Sequence, residues 1–242
     1  MVKRVMSLIG LILFLGVRYS FSAHPLITDD TGTQGKGNLQ IELNCEFKKD
    51  EDEWTKGIDT IFSFGLVDNA DIVFTLPYQF ISSDEKGISD VSLELKYRFY
   101  EKKGLSFALK PGISFPTGDE NKGLGAGKTT YSIYFIGTKE NKNNIIHFNL
   151  GYIRNENVHD ERENIYHLSL AFEFPLNENF KFVSDLCGER NPDKSTNKPV
   201  LVGIVGFIYS PKENLDIAIG VKFGLNDVSP DFSILPGITI RF

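Results

Sequence analysis

The sequence predicts an all-β chain, an antiparallel up-and-down transmembrane β-barrel of about 12 strands, on three observations. Segments of roughly ten residues with alternating polarity recur from Asn38 to Phe242, the weak repeating signature of a membrane barrel. The connections between them alternate between short and long. The last segment, 232–242, carries Phe232, Ile234, Pro236, Ile238, Ile240 and Phe242 on one face and Ser233, Gly237, Thr239 and Arg241 on the other. One face suits lipid and the other tolerates water.

The amino-terminus reads as a signal peptide over residues 1–22. Lys3 and Arg4 precede an apolar stretch from Val5 to Val17, and the small residues Ser20 and Ser22 suit a signal peptidase. The stretch falls short of the roughly 20 residues a membrane helix needs. Cleavage after Ser22 or Ala23 would send the chain to the outer membrane. It would also remove Lys3, Arg4 and Arg18, leaving 23 basic against 32 acidic residues, a net charge of −9. An acidic exported chain argues against nucleic acid as a partner. Cys45 and Cys187 fall on opposite faces by strand parity, so no disulfide is expected, and a metal site would need more ligands. No cofactor motif stands out.

The remainder divides into an amino-terminal segment, 23–37, and a barrel, 38–242. The twelve segments run 38–47, 54–66, 71–81, 91–100, 105–115, 130–138, 144–154, 165–174, 180–189, 200–209, 215–225 and 232–242. In the first, Leu39, Ile41, Leu43, Cys45 and Phe47 alternate with Gln40, Glu42, Asn44 and Glu46. In the fourth, Val91, Leu93, Leu95, Tyr97 and Phe99 alternate with Ser92, Glu94, Lys96 and Arg98. No helical period competes with these patterns. About ten residues at about 3.3 Å rise, tilted by about 40°, cover the roughly 25 Å apolar band of an outer membrane.

Connections 67–70, 101–104, 139–143, 175–179 and 210–214 are short, and 82–90, 116–129, 155–164 and 190–199 are longer. Barrels of this class keep short turns in the periplasm and long loops outside, so both termini fall on the periplasmic side. Aromatic residues gather at the segment ends as two girdles. Phe99, Phe107, Phe174 and Phe180 belong to the short-turn rim, and Trp54, Tyr78, Tyr152 and Tyr166 to the long-loop rim. Pro77, Pro111 and Pro236 each forfeit a ladder hydrogen bond, and β-bulges are expected there. A soluble sandwich or calyx is the rival fold, disfavoured by the loop classes and by the number of strands.

Parity assigns Glu42, Glu94, Lys96, Arg98, Lys110, His147, His167, Glu173, Asp185 and Lys222 to the lumen. Such charges are costly on a lipid face, by about 2–4 kcal/mol for Lys or Arg at the midplane. Their mixed signs argue against strong ion selectivity and favour mutual pairing. Ile61, Val73, Ile136, Ile145, Leu201, Val205 and Phe207 are read as apolar lumen positions. Segment 200–209 is apolar on both faces, which calls for either a plug or a greasy solute inside.

No catalytic residues are assigned. The sequence 123–130 resembles a phosphate loop, but Lys122 stands where the pattern needs Gly and no helix follows, so a mobile external loop is expected. His147 and His167 lie on neighbouring strands, where they could approach one another. An outer-membrane lipid hydrolase would need an outward His beside an outward Ser, and both strand histidines point inward.

His24-Pro-Leu-Ile-Thr-Asp-Asp-Thr-Gly-Thr-Gln-Gly-Lys-Gly-Asn-Leu-Gln-Ile-Glu42 and Phe115-Pro-Thr-Gly-Asp119 with its following glycines are similar to motifs of a bacterial family labelled "putative MetA-pathway of phenol degradation", also called simply "transporter". His24 stands where that family often has Arg. The resemblance spans the chain beyond the leader and implies an outer-membrane barrel that transports. Turn formers dominate 28–37, which either folds at the periplasmic mouth or lumen or trails as a loose leader.

The resulting expectation is a passive outer-membrane channel for small solutes, hydrophobic or aromatic ones among them. Its partners would be outer-membrane lipid, the solute, and the barrel assembly machinery through the strand ending at Phe242. The alternatives are a structural or adhesive surface barrel and a lipid enzyme.

Overall fold

A computed structural model describes residues 24–50, 53–82 and 84–242; the expected leader lies outside them. The strands are β1 (Leu39–Asp50), β2 (Glu53–Val67), β3 (Ala70–Phe80), β4 (Lys86–Ile88), β5 (Val91–Lys102), β6 (Leu105–Phe115), β7 (Thr130–Glu140), β8 (Ile145–Arg154), β9 (Asn164–Pro175), β10 (Phe180–Glu189), β11 (Val200–Lys212), β12 (Leu215–Gly224) and β13 (Phe232–Arg241). Twelve of them form one closed antiparallel ring. Each long strand pairs with its neighbour in sequence, and β1 pairs with β13 to close the seam. The short β4 is an addition to the expected set. It lies in the connection after β3 and pairs with the outer end of that strand.

Most strands outrun the alternating segments, so most of the short turns are tighter than the sequence suggests. At one of them Lys103 and Gly104 both take positive φ, at 53° and 69°. That pair of conformations lets a two-residue hairpin follow the strand twist, and Gly104 adopts it without a side-chain penalty. On the opposite rim the β1–β2 ladder continues to the Asp50–Glu53 pair.

The prolines behave differently from expectation. Pro236 interrupts pairing between β1 and β13, where Asn44–Gly237 and Phe47–Ile234 are in register and the two pairs between them are missing. Pro111 leaves the same two-pair gap between β5 and β6, and the β3–β5 ladder stops at Thr75–Ser92, just before Pro77. Register is unchanged across the first two gaps. An absent N–H deletes a bond without adding a residue, so the ladder opens locally and does not bulge. Register shifts occur instead at Gly65/Val67, Arg98/Tyr100 and Tyr209/Lys212, beside the short turns.

Outward faces carry a belt of Leu, Ile, Val, Phe and Tyr side chains with large exposed areas. Aromatic contacts concentrate near the rims: Phe99, Phe107 and Phe135 cluster on one side, as do Phe172, Phe174 and Phe182. Trp54 meets Phe232 edge-on at 5.6 Å and Tyr152 lies 5.7 Å from Tyr166 at the other rim. On β11 the sequence reading of the faces is reversed. Val205 and Phe207 are exposed on the outer surface, while Val202, Ile204 and Ile208 are buried. With both faces apolar, parity has nothing to distinguish them.

The 116–129 loop is held in place. Asp90 accepts from the amides of Gly118 (2.9 Å) and Ala126 (2.7 Å), a short 3₁₀ turn spans Glu120–Lys122, and Leu124 is buried. The sequence expectation of a mobile loop missed Asp90, which lies in a different connection.

A closed barrel keeps its ladder intact in detergent at room temperature. Unheated protein should therefore migrate on a denaturing gel apart from a boiled sample. Identical mobilities would contradict the closed ring.

Candidate functional site

Residues 24–37 form a strap that runs inside the ring and bonds to inward-facing side chains. Their many Thr, Asp and Gly residues leave backbone donors that no ladder satisfies, and the wall supplies the acceptors. Near the short-turn rim, Gly37 N donates to Gly65 O (2.8 Å), Thr33 Oγ1 to Asp68 O (2.9 Å), and Gln34 N to the Asp71 carboxylate (2.9 Å). Deeper in, Thr31 N donates to Thr138 Oγ1 (3.1 Å) and its hydroxyl meets that of Ser106. Asp185 accepts three bonds from the strap: Ile27 N and Thr28 N, both at 2.8 Å, and Thr28 Oγ1 at 2.6 Å.

Asp29 is the most heavily bonded residue of the strap. Its carboxylate lies 2.8 Å from Lys96 Nζ and 2.9 Å from Lys110 Nζ, and its backbone exchanges two bonds with the Asn149 amide at 2.7 and 2.8 Å. Burial pushes this carboxyl up, but the Lys110 and Lys96 ammoniums outweigh it and hold Asp29 well below the usual carboxylate range. Lys96 also lies 3.6 Å from Asp30, and Lys110 lies 3.4 Å from Glu94.

Above this clamp the strap becomes apolar. Leu26 packs on the buried cluster of Val183, Ile208 and Ala218. Pro25 and His24 sit in a notch cut by three glycines: a β-carbon built on Gly220, Gly206 or Gly237 would fall 2.6, 2.7 or 2.5 Å from a strap atom. No side chain fits there unless the strap shifts. Burial holds the His24 imidazole down to about 4, so the ring is neutral at pH 7.

The other sequence-chosen residues separate into smaller groups. Glu42 is buried and accepts from Gln40 Nε2 at 2.8 Å. Lys222 pairs with Glu46 at 2.6 Å. Arg98 pairs with Glu101 at the rim, apart from the clamp. His147 and His167 do not approach one another: His147 lies opposite Ala171 and His167 opposite Gly151, four residues along the ladder. Each takes its own partners. His147 sits 3.0 Å from Thr138 Oγ1 and 3.1 Å from Glu173, which also pairs with Lys181 at 3.1 Å. His167 sits 3.0 Å from Ser169 Oγ and 3.1 Å from Glu189.

Both sets repeat the hydroxyl–imidazole–carboxylate order of a hydrolytic triad. In each the hydroxyl is buried, and Thr138 already accepts the strap's Thr31 amide. Among the described residues no group of three or more His, Cys, Asp or Glu is placed to hold a metal ion.

Sequence reasoning missed Asn149, Thr138, Ser106 and Asp71. Their inward parity was available, but a neutral or turn-proximal polar residue gives no sign of a partner more than 30 residues away.

Two cavities remain beside the strap. The first, about 180 Å³, is lined by Asp29, Glu42, Asp71, Glu94, Lys96 and Lys110 among others. The second, about 330 Å³, is lined by Glu46, Lys48, Thr55, Asp59, Gln79 and Lys222 among others.

A family model described as "Putative MetA-pathway of phenol degradation" matches residues 23–242. Among solved structures, the chain is similar to the KdgM porin, with a TM-score of 0.60 and 10% identity over 84% of this chain and 99% of that one. It is similar to the NanC porin, with a TM-score of 0.61 and 11% identity over 84% of this chain and all of that one. A KdgM porin in complex with disordered oligogalacturonate gives 0.62 at 9% identity, covering 84% and 99%. At these identities the likeness speaks to the fold, that of an outer-membrane porin barrel. Comparison with curated proteins finds no match.

Replacing Asp29 with Ala leaves two buried ammoniums without their shared partner, a loss of about 3–5 kcal/mol for a broken buried pair. At tenfold per 1.4 kcal/mol, amide hydrogen exchange at Ile27 and Thr28 should accelerate by about two to four powers of ten, while the strands stay protected. Unchanged exchange at those amides would show that the clamp does not hold the strap.

Proposed function

The chain belongs to that family, and from this membership and the lumen just described we propose that it is an outer-membrane channel, internally plugged by its strap, for passive passage of small solutes. The observation that carries the reading is a transmembrane ring whose interior is polar, charged and occupied by its own amino-terminal segment. A structural or adhesive barrel has no need of a charged interior held open beside a strap.

Residues 23–37 act as the plug and 38–242 as the conduit. Glu42, Glu94, Lys96, Lys110, Asp185 and Lys222 line or brace the lumen, His147, His167 and Glu173 stiffen its far wall, and Arg98 guards the rim. The strap leaves spaces of single-ring scale, since a cavity of about 150 Å³ accommodates benzene. Small aromatic solutes therefore fit, with Ile27, Ile61 and Val73 as their apolar contacts. The apolar positions Ile204 and Ile208 are buried, Ile208 in the cluster on which the strap's Leu26 packs, and neither lines the two cavities. A chain-like ligand such as the oligogalacturonate of the KdgM complex exceeds these spaces.

The leader directs export, the belt meets outer-membrane lipid, and the exposed Phe242 at the end of β13 engages the barrel assembly machinery. Movement follows the gradient.

Single-channel conductance in planar bilayers tests this. The intact protein should conduct weakly, and deletion of residues 24–34 should raise conductance severalfold, with heat-modifiable mobility confirming that the shortened barrel has folded. Equal conductance from both proteins would contradict the plug, and silence from both would contradict the channel.

A further inference from the structure

Over residues 24–29 the strap is held to one side of the lumen, and it reaches β2 and β3 only at residues 34–37, near the short turns. The bonds fixing residues 27–29 run to β5, β6, β8 and β10, and the glycine notch lies on β11, β12 and β13. The wall formed by β1, β2 and β3 is faced at the same depth by the two cavities. These share five residues, His24, Leu26 and Ile27 of the strap and Asn44 and Ile61 of the wall. The shared residues form the neck between the two chambers, one of which lies toward the short turns and the other toward the long loops.

Resting on the channel reading, we propose that solutes pass the docked strap through this side passage, and that it favours small neutral or cationic solutes over anions. Ile61 sets its width.

Charge supports the preference. Carboxylates lining the first chamber are Asp29, Asp30, Glu42, Asp71 and Glu94, against Lys96 and Lys110. Both of those lysines are already engaged by Asp29. The second chamber adds Glu46 and Asp59 against Lys48 and Lys222, and Lys222 is held by Glu46 at 2.6 Å. A solute therefore meets more negative than positive charge in the first chamber and balanced charge in the second, in a narrow space where low-dielectric walls focus the field. On β1 and β2 the register places Glu42 opposite Ile61 and Asn44 opposite Asp59, so acids flank the neck on both sides.

The neck also offers hydrogen-bond acceptors. Asn44 Oδ1 and His24 Nε2 are buried without a partner among the described residues. The neutral His24 ring already bonds the Leu235 backbone through its donor, which leaves Nε2 as a lone pair. Two idle acceptors beside Leu26, Ile27 and Ile61 suit a solute that pairs an apolar body with a hydroxyl or ammonium donor.

The test is conductance and reversal potential in planar bilayers under a potassium chloride gradient, on the full protein, three substitution variants and the 24–34 deletion. Wild type should show a cation-selective reversal potential. Ile61→Trp should lower conductance severalfold, Ile61→Ala should raise it, and Glu42→Gln with Asp59→Asn should move the reversal potential toward anions. Each variant is first checked for heat-modifiable mobility, and Ile61→Ala keeps the test open should the larger side chain prevent folding.

A conducting wild type with an anion-selective reversal potential, or one indifferent to Ile61, would overturn the passage. A silent wild type that conducts once residues 24–34 are deleted would also overturn it while leaving the channel reading intact. Silence from both would defeat the channel reading itself.

Discussion

The structure depends on a mismatch between the size of the ring and the reach of its side chains. Eight strands close around a space that side chains fill, and sixteen or more leave open water. Twelve strands fall between. Their lumen is too wide for inward residues to meet across it and narrow enough for one extended segment to cover the difference. The strap answers that constraint, and its anchor is one buried carboxylate shared by two ammoniums from neighbouring strands. Lys96 and Lys110 could not be left unpaired at that depth, and Asp29 could not enter without them. The bonds to Asn149 and Asp185 extend the same arrangement, because strap amides with no ladder must find acceptors.

The fold was legible because its signal is periodic and repeated. Where one face is apolar and the other charged, as in β1 and β5, parity identifies both the strand and its orientation. On β11 parity failed for a physical reason. Val202, Ile204 and Ile208 are buried, Ile208 beneath the strap's Leu26, while Val205 and Phe207 are exposed on the outer face, and both environments select the same side chains. The prolines misled in a related way. A missing N–H was equated with an inserted residue, whereas at Pro111 and Pro236 the sheet omits two pairs and keeps its register.

The site was only half legible. Parity chose inward charges one strand at a time, and Lys96, Lys110 and Asp185 are among those that grip the strap. Their partners lie 67 to 158 residues away in sequence, and no local pattern announces such a contact. The three notch glycines illustrate the same limit. Gly206, Gly220 and Gly237 are scattered over three strands, and only the closed ring brings them around Pro25 and His24. The two histidines looked like possible neighbours and proved to be separate, each satisfied by its own hydroxyl and carboxylate.

The central claim is that solute moves past a strap that stays in place. Leu26 packs on the cluster containing Ala218, so Leu26→Cys with Ala218→Cys, in a chain whose Cys45 and Cys187 are replaced by Ser, would allow the strap to be fixed to the wall by oxidation. Single-channel conductance is then compared before and after reduction of that crosslink. A passage beside a fixed strap predicts the same conductance in both states. Conductance that appears only after reduction would show that the strap must leave for the channel to open, and would contradict the account.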